Sequence, residues 1–213
     1  MSAAVALVPS APLLLPEYTG REDVGAPLRA RAVEVVRAVA GGSPGGVVLV
    51  VASDREQRGG RSPLGQRVGE HLAALAGVPV HAVVVVPWDL PTVDCRSLGT
   101  RLAGEADGRA LVVVADGSAR RGEKAPGHLD ERAFAVDDAI AAAVGRGALP
   151  ELLDLDPVLC AELLVHGRAP LQVAAAVSGD ADLVCADLEV SDPFGVRYLV
   201  ARLAGRGAGD PPA

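Results

Sequence analysis

Aromatic side chains are scarce in this chain of 213 residues, which has one Trp, two Tyr and two Phe and is 2% aromatic overall. Half of its residues are nonetheless hydrophobic, so Ala, Val and Leu must build the core, and this composition suits central strands and closely packed helices. So few aromatic rings leave little surface on which bases can stack, and a net charge of −7 disfavours contact with a phosphate backbone. Binding to nucleic acid is therefore not expected.

Paired cysteines and long apolar runs are also missing. Cys95, Cys160 and Cys185 are widely spaced and odd in number, so we expect reduced thiols in a cytoplasmic protein rather than a disulfide framework. No charge-free apolar run approaches the roughly 18 to 20 residues that a membrane-spanning helix needs. Prolines interrupt the apolar N-terminal stretch where a signal peptide would form a helix, and we expect that stretch to belong to the mature protein.

Apolar strand-like runs alternate with segments of helical periodicity over the first two-thirds of the chain. Strands are predicted at residues 3–8, 47–52, 80–86 and 110–115, and helices at 26–40, 64–76, 94–106 and 130–145. Two shorter helices at 156–165 and 170–177 and two closing strands at 183–188 and 196–201 follow. This order predicts one α/β domain over residues 1–204, with a mostly parallel central sheet flanked by helices, an antiparallel pair at one edge and a flexible tail at 205–213.

The segment 116–132 is the most distinctive stretch, because a buried strand breaks at Asp116 into a charged, glycine-rich loop. Arg120, Arg121 and Lys124, the only lysine, outnumber Glu123 in a chain that is acidic overall. Polar groups at the end of a strand are typical of sites in α/β proteins. The loop is therefore either a solvated surface segment or the wall of a pocket for an anionic or polar molecule.

Several common sites are not supported by the sequence. The glycine-rich stretch 41–46 lacks the lysine of a phosphate-binding loop, and prolines occupy the turn where a dinucleotide-binding fingerprint would begin. The four histidines show no metal-binding spacing, although His128 and His166 both lie in loops and could converge. Ser118 lacks the second glycine of a nucleophile elbow, so a loop hydrogen bond suits it better than nucleophilic attack.

Three stretches resemble a known family when they are taken together. They are Asp116–Gly127 with its continuation to Asp137, Gly167–Pro170 within the segment 155–172, and the opening Val8–Glu17. They are similar to the B-type catalytic subunit of class III extradiol ring-cleavage dioxygenases and to the related Memo-like proteins, and most closely to a small actinobacterial branch of proteins like that subunit. The resemblance spans nearly the whole chain and implies that family's α/β fold.

The chain departs from that family at the positions that carry its chemistry. The family takes one iron ligand from a Pro-His-Pro-Pro loop, where this chain has Ser10 or Ala11, and a second from a histidine after the next strand, where it has Ser53-Asp54-Arg55. The histidine of the family's Ser-His-Arg acid/base motif is replaced by Ala119. We therefore expect no cofactor, and Fe(II) only if the family activity is retained. Carboxylates from Asp54 or Glu17 alone would favour magnesium, calcium or manganese.

The sequence thus predicts a relative of these dioxygenases that has lost its iron site and binds a small polar or anionic ligand, or a partner protein, in the remaining pocket. The candidate ligand-binding residues are Ser10, Asp54, Asp116, Ser118, Arg120, Arg121, Glu123, Lys124 and Arg168. A first alternative is a metal-independent enzyme in which Asp116, Lys124 or His128 acts as acid or base. A second is a working dioxygenase with substituted ligands. Members of the family often assemble, so the resemblance also allows a homo-oligomer.

Overall fold

Six strands and six α-helices make up the part of the chain that the computed structural model describes, residues 4–43, 45–56, 60–105 and 109–206. The strands are β1 (Ala4–Val8), β2 (Val47–Ala52), β3 (Val80–Val86), β4 (Ala110–Val114), β5 (Leu183–Ser191) and β6 (Tyr198–Gly205). The helices are α1 (Ala26–Ala40), α2 (Leu64–Ala76), α3 (Thr92–Glu105), α4 (Arg132–Gly145), α5 (Pro157–Glu162) and α6 (Arg168–Ser178). Short 3-10 turns lie at Pro12–Leu14, Pro16–Tyr18 and Leu149–Asp154.

The strands form one sheet in the order β3-β2-β4-β1-β6-β5. The first four are mutually parallel, whereas β6 runs antiparallel to β1 and β5 antiparallel to β6. The prediction of an α/β fold with a mostly parallel sheet and an antiparallel edge pair is confirmed. None of the helices in the described ranges has both the length and the apolar character that crossing a membrane requires.

Both faces of the sheet are covered, which explains the unbroken apolar runs in its central strands. Because side chains alternate along a strand, Val5 and Leu7 of β1 enter the core on one face while Ala6 and Val8 enter the core on the other. The first core also receives buried residues of α4 and α6, and the second receives those of α1 and α2. The sheet is therefore the middle layer of three.

Element boundaries differ from the predictions mainly near the loops. The helix predicted from Asp130 begins at Arg132, since the Asp130 carboxylate accepts a hydrogen bond from the amide of Arg132 at 3.1 Å and stays outside the helix. The strand β6 continues to Gly205, four residues beyond its predicted end, so that residue pairs with Leu183 rather than opening a tail. Arg206 is also held, since its amide donates to the carbonyl of Asp182 at 2.8 Å, and residues 207–213 of the predicted tail lie outside the described residues.

The strand order brings the carboxyl ends of β2, β4 and β1 side by side. Ligands in open parallel sheets bind outside the carboxyl ends of the strands. The loops that begin at residues 9, 53 and 115 meet there, and the order of the strands thus places the functional site.

Candidate functional site

A cavity of about 310 Å³ lies where β1, β2 and β4 end. Its lining includes apolar residues of α2 and of the central strands together with a convergent group of polar side chains. The polar members are Ser10, Ser53, Asp54, Arg55, Asp116, His166 and Tyr198. A mostly apolar pocket with a few convergent polar groups is typical of a binding site for a small molecule.

Asp116 follows β4 directly and is partly buried in the cavity wall. Its Oδ1 accepts a hydrogen bond from the amide of Ser10 at 2.8 Å, which ties the end of β4 to the end of β1. Burial raises the pKa of Asp116 to about 7, since this one backbone donor offsets little of the cost of removing a carboxylate from water. Burial and the neighbouring Asp116 also raise the pKa of Tyr198. Asp116 therefore titrates near neutral pH beside a protonated phenol.

His166 enters the cavity from the turn between α5 and α6. Burial, and next the positive charge of Arg55, lower its pKa to about 4, so the imidazole is neutral at neutral pH. Its ring lies 6.3 Å from the ring of Trp88, centroid to centroid, at an interplanar angle of 38°. Nε2 is buried and has no hydrogen-bond partner among the residues that the structure describes.

Arg55 brings a positive charge to the same wall. Its guanidinium lies 4.3 Å from the centroid of the Trp88 ring, and Nη2 donates a hydrogen bond to the carbonyl of Ala161 at 2.9 Å. Burial, and next repulsion from Arg120, lower the pKa of Arg55. The Nε of Arg55 is buried and, within the described ranges, also lacks a partner.

The two residues before Arg55 hold this strand end in place. Asp54 accepts a hydrogen bond from the amide of Leu64 at 3.0 Å, at the start of α2, and Ser53 Oγ accepts one from the amide of Trp88 at 3.2 Å. The predicted site residues Ser10, Asp54 and Asp116 thus come together in one cavity. Among them, Asp54 also anchors α2.

Ser118 and Arg121 do not line the cavity, because the structure engages both in the protein interior. Ser118 Oγ donates to the carbonyl of Leu163 at 2.6 Å, and its amide donates to Asp137 Oδ1 at 2.8 Å. Arg121 pairs with Asp137 at 3.1 Å and with Asp192 at 2.8 Å. These contacts fasten the loop after β4 to α4 and to the turn before β6.

Arg168, like Ser118 and Arg121, forms its hydrogen bonds with the protein interior. It is 2% exposed, and its guanidinium donates to the carbonyls of Leu90 and Trp88 and to the side chain of Gln172. It does not line the cavity at the strand ends; it borders a separate cavity of about 300 Å³ beside Trp88. Its charge therefore joins α6 to the loop after β3.

The charged tip of the loop also lies outside the cavity lining. Glu123, Lys124 and His128 are exposed, and His128 has a positive φ of 58°. Arg120 is partly buried and only its neighbour Ala119 lines the cavity, although the charge of Arg120 reaches Arg55. For Glu123, Lys124 and His128 the arrangement agrees with a solvated segment, and the His128–His166 metal pair is not assembled.

Four polar residues of the cavity lining, Ser53, Arg55, His166 and Tyr198, are missing from the set predicted by sequence. Ser53 and Arg55 flank the predicted Asp54, so the same strand-end signal could have identified them. The sequence singles out His166 only as one half of a metal pair. No local sequence feature identifies Tyr198 as a site residue, because only the pairing of β6 with β1 brings it near Asp116.

The donor set does not fit the Fe(II) centre that the family resemblance implies. Among the described residues, no group of three or more His, Cys, Asp or Glu side chains is placed to hold a metal ion. The described lining of the cavity offers one histidine and two carboxylates, and the carboxylates of Asp54 and Asp116 each accept a hydrogen bond from a backbone amide. This arrangement of donors does not support iron chemistry at the strand ends.

Comparison with known proteins supports the fold and nothing narrower. No family model matches the chain, and no curated protein matches it. Among solved structures, the crystal structure of the uncharacterized protein JW3007 from Escherichia coli K12 is similar, with a TM-score of 0.50 and 12% identity over 95% of this chain and 99% of that one. At this identity the similarity indicates a common fold only.

Proposed function

We propose that the protein binds a small polar or anionic molecule in the cavity at the ends of β1, β2 and β4, without iron. The observation that carries the proposal is the cavity itself, because its polar lining converges where parallel strands end. Its volume of about 310 Å³ is at the lower end of the range for small-molecule sites, which favours a compact ligand over a polymer segment.

The resemblance to the catalytic subunit of the class III extradiol dioxygenases supports the same location. The resemblance places one iron ligand at Ser10 or Ala11, a second at the segment 53–55 and the acid/base histidine at Ala119. Ser10, the whole segment 53–55 and Ala119 line this cavity, whereas Ala11 does not. A relative that has exchanged these residues would keep the pocket and lose the metal. A cytoplasmic location, which rests on the unpaired cysteines, and a homo-oligomeric assembly, which rests only on the family resemblance, are part of the proposal.

A screen by ligand-observed NMR tests the proposal. The panel contains small neutral, anionic and cationic molecules, and we expect wild-type protein to bind some of them. The variant Ala119→Phe places a ring in the cavity wall and should weaken their binding by about tenfold or more, since it removes the volume that they occupy. Ala74→Phe, at an exposed position of α2, is the matched control and should bind as wild type does. Binding that survives in Ala119→Phe, or a panel without any binder, contradicts the proposal.

A second candidate function is a metal-independent enzyme in which Asp116 is the acid or base. The observation that favours it is the pKa of about 7 for a carboxyl group in the cavity wall, since general acid/base catalysis is most effective when the pKa is close to the working pH. Lys124 and His128 do not line the cavity, so this candidate rests on Asp116 alone.

Turnover of the panel molecules that bind is the measurement for this second candidate. Spectra recorded over time should show product formation by wild-type protein and a loss of about a hundredfold in rate for Asp116→Asn, which cannot exchange a proton at that position. Binding should persist in the variant. Equal rates for the two proteins, or no product from any bound molecule, would leave binding as the function.

A further inference from the structure

Two residues that line the cavity each have a buried side-chain nitrogen without a hydrogen-bond partner among the described residues. These nitrogens are Nε of Arg55 and Nε2 of His166. Buried polar groups are nearly always paired in folded proteins. Two unpaired nitrogens on residues of one cavity therefore suggest that a ligand supplies the missing partners. Arg55 Nε always carries a proton, and a neutral imidazole carries one on either nitrogen.

The positive charge of Arg55 favours an anion near these two atoms, although the carboxylate of Asp54 also acts on His166. Burial, and next the positive Arg120, act against the charge of Arg55, which forms no ion pair with a carboxylate of the described residues. The ring of Trp88 and the carbonyl of Ala161 fix the guanidinium from two sides, and the same ring flanks His166. The two donors are therefore held in place before any ligand arrives, which lowers the entropic cost of binding.

We propose that Arg55 and His166 anchor the carboxylate of a small organic acid, with Arg55 Nε–H and His166 Nε2–H as the donors. This assignment rests on the proposed binding function and names its ligand class. A carboxylate at Nε2 selects the tautomer that carries its proton there.

A carboxylate fits better than a phosphate dianion for two reasons. Among the described residues, Arg55 is the one guanidinium in the lining, and one of its nitrogens is already engaged with Ala161, so few donors remain for a third or fourth oxygen. Asp54 and Asp116 line the same cavity, and their negative charge opposes a doubly charged ligand more strongly than a single one.

Benzoate and its neutral counterpart benzamide provide a matched pair of probes, with inorganic phosphate as the competing oxyanion. Calorimetry with the full chain should show that benzoate binds about tenfold or more tightly than benzamide, because hydrogen bonds to an ionised group are the stronger kind. Arg55→Lys and His166→Gln should each weaken benzoate by about tenfold and change benzamide little. Arg101→Gln, at an exposed position of α3 outside the cavity lining, is the control and should bind benzoate like wild type.

An NMR titration of the His166 imidazole gives a readout that does not depend on the Arg55 variant being folded. Saturation with benzoate should raise the pKa of this imidazole from about 4, since an adjacent anion favours the protonated ring. Equal affinity for benzoate and benzamide, tighter binding of phosphate, or an unchanged imidazole pKa overturns the carboxylate assignment. Any of these results leaves the binding function intact if the screening panel yields molecules that Ala119→Phe excludes. A wild-type protein that binds neither benzoate nor acetate also overturns the carboxylate assignment.

Discussion

Replacing Asp137 by alanine is expected to lower the free energy of unfolding by about 3 to 5 kcal/mol, the usual cost of removing one partner from a buried ion pair. Asp137 lies in α4 and is fully buried. Its Oδ1 accepts the amide of Ser118 at 2.8 Å, and its Oδ2 pairs with Arg121 Nη1 at 3.1 Å. The alanine variant leaves a buried amide without an acceptor and a guanidinium, whose side chain is 6% exposed, with Asp192 as its remaining partner.

Urea unfolding followed by circular dichroism measures this loss, and the adjacent residue supplies the control. Asp138 is 74% exposed and lies 3.7 Å from Arg197, so Asp138→Ala should change the free energy of unfolding by no more than about 0.5 kcal/mol. Equal effects of the two substitutions would show that the interior carboxylate does not hold the loop after β4.

The same substitution should also weaken ligand binding, because Asp137 acts on the cavity through the backbone. Gly117 and Ala119, on either side of Ser118, both line the cavity. A β-carbon on Gly117 would lie 2.4 Å from Asp137 Oδ1, which shows how closely this backbone approaches the carboxylate. Without the Asp137 carboxylate the amide of Ser118 loses its acceptor, so the segment after β4 that contains Asp116 is held less firmly.

The sheet could be predicted because its signals are local. The run Val47–Ala52 is apolar at every position, which indicates a strand covered on both faces, and the structure gives β2 these same bounds. The helix α2 ends at Ala76 because Gly77 adopts the left-handed conformation with φ of 70° that glycine tolerates best. Such features need no knowledge of distant residues.

The site could be predicted only where a residue directly follows a parallel strand. Ser10, Asp54 and Asp116 satisfy that condition, and all three line the cavity. Their charge alone also predicts Arg121 and Arg168 as site residues. Whether an arginine faces a ligand or binds interior carbonyls and carboxylates, however, depends on contacts with segments far away in sequence. Sequence position shows which strand end a residue follows and does not show which way its side chain points.

His166 and Tyr198 illustrate the opposite case, in which long-range pairing creates the site. Tyr198 begins β6, and the antiparallel pairing of β6 with β1 places it near Asp116. His166 belongs to a turn that reaches the strand ends because the amide of Gly167 donates to the carbonyl of Asp116 at 3.2 Å. Neither contact has a counterpart in local periodicity or composition.

Asp116→Asn is expected to stabilise the protein at alkaline pH, by at most about 4 kcal/mol, which is the free energy that corresponds to a pKa raised from 3.8 to about 7. Below the unfolded value of 3.8 the carboxyl group is protonated in both states and its titration contributes no difference. Between about 3.8 and about 7 the unfolded chain releases this proton while the folded protein retains it in the buried carboxyl group, so wild-type stability falls across that range and levels off above about 7. The asparagine carries no charge and escapes this loss.

The measurement is the free energy of unfolding of both proteins from about pH 5 to about pH 8, where the advantage of the variant should grow up to about pH 7 and then level off. Asparagine retains an oxygen that can accept the amide of Ser10, so the tie between β4 and β1 is kept. Asp180→Asn, in the exposed turn after α6, removes a carboxylate outside the cavity lining and should give a nearly constant difference. A constant difference for Asp116→Asn as well would contradict a raised pKa.

A carboxyl group that destabilises the folded protein at neutral pH indicates a function, because a simple substitution would remove the cost. Asp116 lies beside Tyr198 in a cavity that also contains Arg55 and His166. Strongly perturbed groups in a cleft are concentrated at functional sites, where stability is given up for binding or catalysis. If Asp116→Asn gains stability at about pH 8 while the bound panel molecules cease to react, the stability given up at this residue is linked to the function of the cavity.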